Sequence, residues 1–156
     1  MSSIQATNGL ESWVSFLRSH AAITRQLNAD LLNHHGLTLS DYEVLLRLAN
    51  AENGMMRRVD LAQSVLLTAS GITRLLDGLE QAGCVEKASC SSDARVSYAK
   101  LTPVGRRKLA EASETHLTGI EEFFASRFSE VELEQLGELL SRLPQTHDLP
   151  ERCTIE

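Results

Sequence analysis

The apolar period of the sequence departs from that of a helix over one segment in the middle of the chain, and this segment limits the folds that the chain can adopt. Up to residue 83, apolar side chains recur every three to four positions, as they do along amphipathic helices, whereas over residues 84–101 they alternate. Residues 84–87 and 96–101 therefore predict two strands, and the small polar residues 88–95 between them predict a long hairpin tip. We expect a mainly helical chain with one small β-hairpin.

Helical patterns with capping signals lie on both sides of the hairpin. Ser40 and Glu43 have the spacing of a capping box, which predicts that the second helix begins at Ser40. Thr102 followed by Pro103 predicts an N-cap and a first helical residue directly after the hairpin. A short strand is expected at 55–58, and the predicted helices cover residues 10–34, 40–52, 60–66, 68–82, 103–127 and 129–143, the last with Ser129 as its N-cap.

The net charge of -6 is unevenly distributed along the 156 residues. Residues 55–108 contain nine basic and five acidic side chains, a net charge of +4, whereas the rest of the chain contains six basic and sixteen acidic side chains, a net charge of -10. Acidity of the whole chain argues against a nucleic-acid partner, but the distribution predicts that the middle segment binds an anionic partner. Chance clustering of solvated side chains is the alternative interpretation.

Several function classes are not expected. The sequence contains no run of 18 apolar residues, so we expect no membrane span. The first ten residues lack the pattern of a signal peptide. The spacing of the three cysteines, Cys84, Cys90 and Cys153, is typical of neither a disulfide framework nor a zinc site. We therefore expect a protein of the reducing cytoplasm that holds no metal ion and no other cofactor. Phosphate-binding, nucleophile-elbow and metalloprotease motifs do not occur, so we do not expect an enzyme.

The order short helix, tight turn, helix and hairpin is typical of a DNA-binding helix-turn-helix followed by a wing. In that motif the N-terminal residues of the second helix meet base edges in the major groove. The candidates are small, hydroxylated or cationic: Thr68, Ser70, Thr73 and Arg74. At the predicted hairpin tip, Arg95 is a candidate for the minor groove, with Asp93 as the residue that fixes the tip. An ordinary amphipathic surface helix and a surface turn are the alternatives.

Several short motifs together resemble the MarR family of winged-helix transcription regulators. They are Leu61-Ala62, Thr73-Arg74-Leu75, the run LEQAGCVE at 79–86, Asp93-Ala94-Arg95 and the run LTPVGR at 101–106. The resemblance covers about residues 10–143. It implies a homodimer in which residues 10–36 and 103–143 form the dimerisation base and residues 40–102 form the DNA-binding lobe.

The resemblance also implies roles for individual residues. Two lobes of a dimer would bind a pseudo-palindromic stretch of double-stranded DNA. Ser70, Thr73 and Arg74 would then lie on the groove-reading face, with Arg95 as the wing arginine. Further basic side chains are expected to contact phosphates: Arg57, Arg58, Lys87, Arg106 and Arg107.

Control by a small molecule is expected from the same resemblance, since MarR-like proteins commonly sense phenolic or aromatic ligands. Aromatic and polar residues of the first two helices could line such a cleft: Trp13, Phe16, His20, Tyr42 and Arg47. An aromatic stripe within a dimer core is the alternative. The preferred hypothesis is a repressor that a ligand relieves. There are two other hypotheses. One is a redox regulator of the same fold that uses Cys90, and the other is a winged-helix module that binds protein rather than DNA.

Overall fold

The computed structural model describes residues 3–65, 69–90 and 92–144, with side chains at all of these positions except 3–6, 69, 90 and 93. Helices dominate the described residues, and the chain divides into two compact units, Met1–Gly119 and Ile120–Glu156. The helices and strands are α1 (Ser3–His35), α2 (Leu39–Asn50), β1 (Met55–Arg57), α3 (Arg58–Ser64), α4 (Ala69–Gln81), β2 (Val85–Cys90), β3 (Asp93–Leu101), α5 (Pro103–Phe123) and α6 (Glu130–Ser141).

The start of α2 differs from the prediction. Thr38, not Ser40, is the N-cap: the Asp41 N–H donates to Thr38 Oγ1 at 3.0 Å, and the Thr38 N–H donates to the Asp41 carboxylate at 2.8 Å. The pair Thr38 and Asp41 has the same spacing as Ser40 and Glu43, so two overlapping signals compete in the sequence. The earlier start places Leu37 just before the cap and Tyr42 at the fourth helical position, and both side chains are buried. Burial of this apolar pair favours the observed cap.

The hairpin is longer than predicted and belongs to a three-stranded sheet. The strands are antiparallel in the order β1-β3-β2, with Met56 opposite Ala99 and Lys87 also opposite Ala99. The prediction of a loop over residues 88–95 is wrong, because β2 continues to Cys90 and β3 already begins at Asp93. Pairing of the backbone N–H and C=O groups extends the strands through residues whose small polar side chains give no strand signal.

The core lies where the sheet meets the helices on one side. Leu45, Leu61 and Leu76 are fully buried and bring α2, α3 and α4 together, and Ala99 and Leu101 add the central strand. Leu31 near the end of α1 and Leu109 and Ala112 of α5 belong to the same cluster. The last turns of α1 and the first half of α5, to which the family resemblance gives a role in dimerisation, therefore complete the core of the lobe.

The motif Leu-Thr-Pro-Val-Gly at 101–105 forms a tight junction between the end of the hairpin and α5. Thr102 is the predicted N-cap: its Oγ1 accepts from the Gly105 N–H at 3.0 Å and donates to the Gly83 carbonyl at 2.6 Å. A Cβ atom at Gly105 would overlap the Cys84 carbonyl oxygen and come within 2.8 Å of Leu101 Cδ1. Gly83, with φ of +74°, provides the left-handed exit from α4. One short segment thus fixes α4, β2 and α5 to each other.

Several apolar side chains of the terminal helices are exposed in the single chain. In α1 they are Leu10, Trp13, Phe16 and Leu17, and in α6 they are Val131 and Leu139. The N-cap predicted at Ser129 is confirmed and forms a capping box with Glu132, whose pKa is lowered by the hydrogen bonds from Ser129. The helix before it ends at Phe123, earlier than predicted, and a 3₁₀ turn follows over Ala125–Arg127.

Candidate nucleic-acid interface

α4 presents one apolar and one polar face. Ile72, Leu76 and Leu79 are buried at the spacing of three and four residues that places them on one side of a helix. The opposite side carries the exposed residues Ser70, Thr73, Arg74, Asp77 and Gln81. Ser70, Thr73 and Arg74, three of the predicted reading residues, therefore share a surface, whereas Thr68 lies outside the described residues.

Arg74 and Asp77 follow each other on this exposed face at a spacing of three residues. Among the described residues, neither side chain forms an ion pair with the other or with a third group, although the spacing would permit one. Both charges are therefore available to an external partner. Asp77 was not among the predicted residues, although the helical period that identified Arg74 also places Asp77 on the same face.

Arg57 is held by a neighbouring carboxylate. Its Nε donates to Asp60 at 2.6 Å and its Nη2 donates to the same carboxylate at 3.1 Å. This hydrogen bonding and the charge of Asp60 raise the pKa of Arg57. The spacing of three residues across the start of α3 was a visible signal for the pair. Arg58 beside it has a buried Nη2 without a hydrogen-bond partner among the described residues.

The strands of the sheet carry further ion pairs. Lys87 of β2 lies 3.8 Å from Glu80 near the end of α4, and Lys100 of β3 lies 3.9 Å from Glu86 of β2. Both distances are long and at least one side chain of each pair is well exposed, so each pair contributes little to stability. The first pair links the wing to α4, which sequence spacing alone could not indicate.

Arg95 lies within strand β3 and not in a loop, and its side chain is exposed. The side chains of Asp93 and Cys90 lie outside the described residues, so their predicted roles at the tip and in redox sensing stay predictions. Arg106 and Arg107 are exposed in the first turn of α5. Exposed cations therefore occur on α4, β3 and α5.

The residues predicted to line a ligand cleft fall into separate groups. Trp13, Phe16 and His20 form a row on α1, with ring centroids 6.1 and 6.3 Å apart. Tyr42 is instead only 5% exposed, and its ring lies 4.5 Å from that of His116 in α5. Its hydroxyl lies 3.2 Å from Ser113 Oγ. Arg47 is exposed on α2. Of the five residues, the described part of the chain brings only the first three together by ring contacts.

His116 is a partly buried residue that was not among the predicted site residues. Its Nδ1 is buried and has no hydrogen-bond partner among the described residues, and burial lowers the pKa of its ring while the charge of Glu43 raises it to a smaller extent. The described residues contain no group of three side chains that could hold a metal ion. Helical periodicity would place His116 on the inner side of α5, two turns after Leu109.

Comparison with known proteins identifies the family. A model of the MarR family matches residues 35–96. The transcriptional regulator FarR of Neisseria gonorrhoeae is 30% identical over 101 residues, which cover 65% of this chain and 67% of FarR. The chain belongs to the MarR family. The regulator MhqR of Bacillus subtilis is 27% identical to this MarR-family chain over 134 residues, 86% of this chain and 90% of MhqR.

Solved structures of the family agree with the fold. AbsC, a MarR family regulator from Streptomyces coelicolor, superimposes with a TM-score of 0.77 at 27% identity, over 90% of this chain and 91% of AbsC. A second regulator from that organism, solved in complex with DNA, gives a TM-score of 0.80 at 24% identity, over 86% of this chain and 84% of that one. The chain thus has the winged-helix fold of the MarR family of transcription regulators. None of its described helices is long and apolar enough to span a membrane.

Proposed function

We propose that this regulator is a cytoplasmic homodimer that inserts α4 into the major groove of a pseudo-palindromic operator and represses transcription. The observation that carries the proposal is the exposed face of α4, where Ser70, Thr73 and Arg74 lie together at the start of the helix. Ser and Thr hydroxyls can bond bases or phosphates, and an arginine can bond O6 and N7 of a guanine with two hydrogen bonds. Arg74 has no intramolecular ion pair to break first among the described residues.

Cations around α4 supply the phosphate and minor-groove contacts of the proposed complex. Arg95 on the wing strand enters the minor groove, and Arg58, Arg106 and Arg107 face phosphates. Arg57 offers a phosphate its Nη1, because Asp60 already holds Nε and Nη2. Lys87, whose side chain is itself exposed, gives up a long ion pair with Glu80, and this exchange costs little.

A second copy of the chain covers the exposed apolar residues of the terminal helices. Leu10 and Trp13 of α1 are 62% and 55% exposed, and Val131 and Leu139 of α6 are 62% and 55% exposed. On each of the two helices, large apolar side chains that are this exposed are typical of an interface. A two-fold dimer would place its α4 helices on half-sites whose centres lie about 34–36 Å apart, one turn of the duplex.

A phenolic or aromatic ligand relieves repression in this proposal. In the proposed dimer, the ring faces of Trp13, Phe16 and His20 that the second copy leaves uncovered are available for stacking. Arg47 offers a charge for an acidic substituent. A ligand of this class should raise the melting temperature of the folded chain and lower its affinity for operator DNA. A melting screen with phenolic acids, followed by titration of the DNA complex, tests this part, and a hit that leaves DNA affinity unchanged would contradict it.

The DNA contacts are tested by arginine substitutions on a duplex selected from a randomised library. Arg74→Ala should raise the Kd by about 5- to 150-fold, equivalent to about 1–3 kcal/mol, and relax the preference at one base pair. Arg95→Ala should weaken binding and flatten its salt dependence. Arg25→Ala removes an exposed arginine of α1 and serves as the control. Equal affinities for all four proteins would refute the placement of α4 and the wing.

A further inference from the structure

We propose that Asp77 is a specificity-determining residue that selects cytosine in the major groove, next to a guanine read by Arg74. The inference rests on the proposed function, since it takes α4 as the helix that enters the groove. It adds a base preference to that function: each half-site should contain a guanine and a cytosine at neighbouring or next-neighbouring base pairs.

The position of Asp77 on α4 suits contact with a base pair. It lies one turn after Thr73 and Arg74, on the side of the helix opposite the buried residues Ile72 and Leu76. Three residues of an α-helix advance about 4.5 Å along its axis. Base pairs are stacked about 3.4 Å apart. Arg74 and Asp77 therefore face base pairs that are one or two steps apart.

The other described acidic side chains of the basic segment differ from Asp77 in having cationic partners. Asp60 binds Arg57, Glu80 lies near Lys87, and Glu86 lies near Lys100. The Asp77 side chain has no ion pair or hydrogen bond among the described residues. A bare carboxylate on a DNA-facing surface repels phosphates and opposes non-specific binding. It becomes favourable only where a base offers a hydrogen-bond donor, which is how an opposing charge produces specificity.

The chemistry of a carboxylate selects among the four bases. An ionised carboxylate only accepts hydrogen bonds. In the major groove, cytosine presents the N4 amino group as a donor, whereas guanine presents two acceptors and thymine presents one acceptor and a methyl group. Adenine offers its N6 amino group, but the N7 acceptor beside it repels the carboxylate. Cytosine is therefore preferred, adenine comes second, and guanine and thymine are rejected.

Gly78, the next residue, leaves room for this contact. A Cβ atom at Gly78 would meet nothing within 4 Å, so packing within the chain does not require glycine there. Glycine in the middle of a helix destabilises it by about 0.5–1 kcal/mol relative to alanine. The missing side chain lets a base edge and its sugar approach the backbone beside Asp77.

The experiment is a selection from randomised duplexes, followed by Kd measurements on single-base variants of the selected site. The proteins are wild type, Asp77→Ala, Asp77→Asn and the control Glu111→Gln, which removes one exposed negative charge on α5. Replacing the selected cytosine pair should raise the wild-type Kd by about 5- to 150-fold. Asp77→Ala should lose the preference for cytosine but keep the preference for guanine that depends on Arg74. Asp77→Asn should prefer adenine at the cytosine position, because asparagine forms hydrogen bonds with adenine N6 and N7. Glu111→Gln should select the wild-type site.

Three results would overturn the inference. The first is that Asp77→Ala keeps the preference for cytosine. The second is that Asp77→Ala raises the Kd of all duplexes by the same factor. The third is that Glu111→Gln changes the preference for cytosine as much as Asp77→Ala does. Non-specific affinity provides an independent readout, since loss of the carboxylate should leave it equal or higher. If Arg74→Ala weakens the preference for guanine while Asp77→Ala changes no base preference, the inference fails and the proposed function stands. If the wild-type chain selects no sequence, the proposed function itself fails.

Discussion

The two halves of α1 contain the same kind of apolar repeat but have different surroundings. Leu27 and Leu31 near its end are 6% and 0% exposed and pack with the lobe, whereas Leu10 and Trp13 near its start are 62% and 55% exposed. A helical repeat therefore specifies the helix and its apolar face, but it does not specify what covers that face. The lobe covers the second half of α1 within one chain, and the proposed dimer covers the first half.

The largest expected effect is on folding stability, and it distinguishes the closely packed interior of the lobe from the exposed terminal helices. Gly105→Ala should lower the free energy of unfolding by about 3 kcal/mol, the upper end for overpacking, because the new methyl group meets the Cys84 carbonyl and Leu101. Gly137→Ala in α6 is the matched control, since a Cβ atom there meets nothing within 4 Å and should stabilise the helix by up to about 1 kcal/mol. Urea unfolding measures both, and equal effects of the two substitutions would contradict the comparison.

An intermediate effect concerns association rather than folding. Val131 of α6 and Val59 of α3 are 62% and 64% exposed, and each is the second residue of its helix. An aspartate near a helix N-terminus is favourable, so neither Val131→Asp nor Val59→Asp should unfold the chain. Val131→Asp should weaken the dimer at least tenfold, or about 1.4 kcal/mol, whereas Val59→Asp should leave it unchanged. Sedimentation over a concentration series distinguishes the two, and identical dimer constants would refute the role of α6.

The smallest effect concerns the buried ring of His116. Burial lowers the pKa of folded His116 below its unfolded value of 6.5, so the unfolded state binds more protons as the pH falls below that value. This contribution to stability is present above pH 6.5 and is lost as the pH falls through the folded pKa. His116→Phe keeps a ring beside Tyr42 and should flatten the pH dependence of the unfolding free energy between about pH 7.5 and 5. An unchanged slope would show that other groups cause it.

Local signals predicted much of the fold. The caps at Thr102 and Ser129 depend on residues within a few positions of each other, and both are confirmed. The cap of α2 was predicted wrongly because Thr38 and Ser40 offer equivalent local patterns, and burial of Leu37 and Tyr42 favours Thr38. The hairpin was predicted too short because strand pairing does not depend on side-chain pattern alone.

The interface was predicted less completely than the fold. Periodicity placed Ser70, Thr73 and Arg74 on one exposed face, and it would have added Asp77. The ion pair of Lys87 with Glu80 depends on how β2 packs beside α4, which no sequence spacing encodes. Tyr42 was predicted to line a cleft, but its contacts with His116 and Ser113 come from α5, about 70 residues later in the chain.

Selection of duplexes from a randomised library tests the central claim most directly, because it examines dimerisation and base reading together. A homodimer that reads DNA with α4 should enrich an inverted repeat whose half-site centres lie about 10–10.5 base pairs apart. The complex should contain two chains per duplex, and Arg74→Ala should weaken the base preference at the same position of both half-sites. Enrichment of a single unrepeated site bound by one chain, or no enrichment at low salt, would contradict the account.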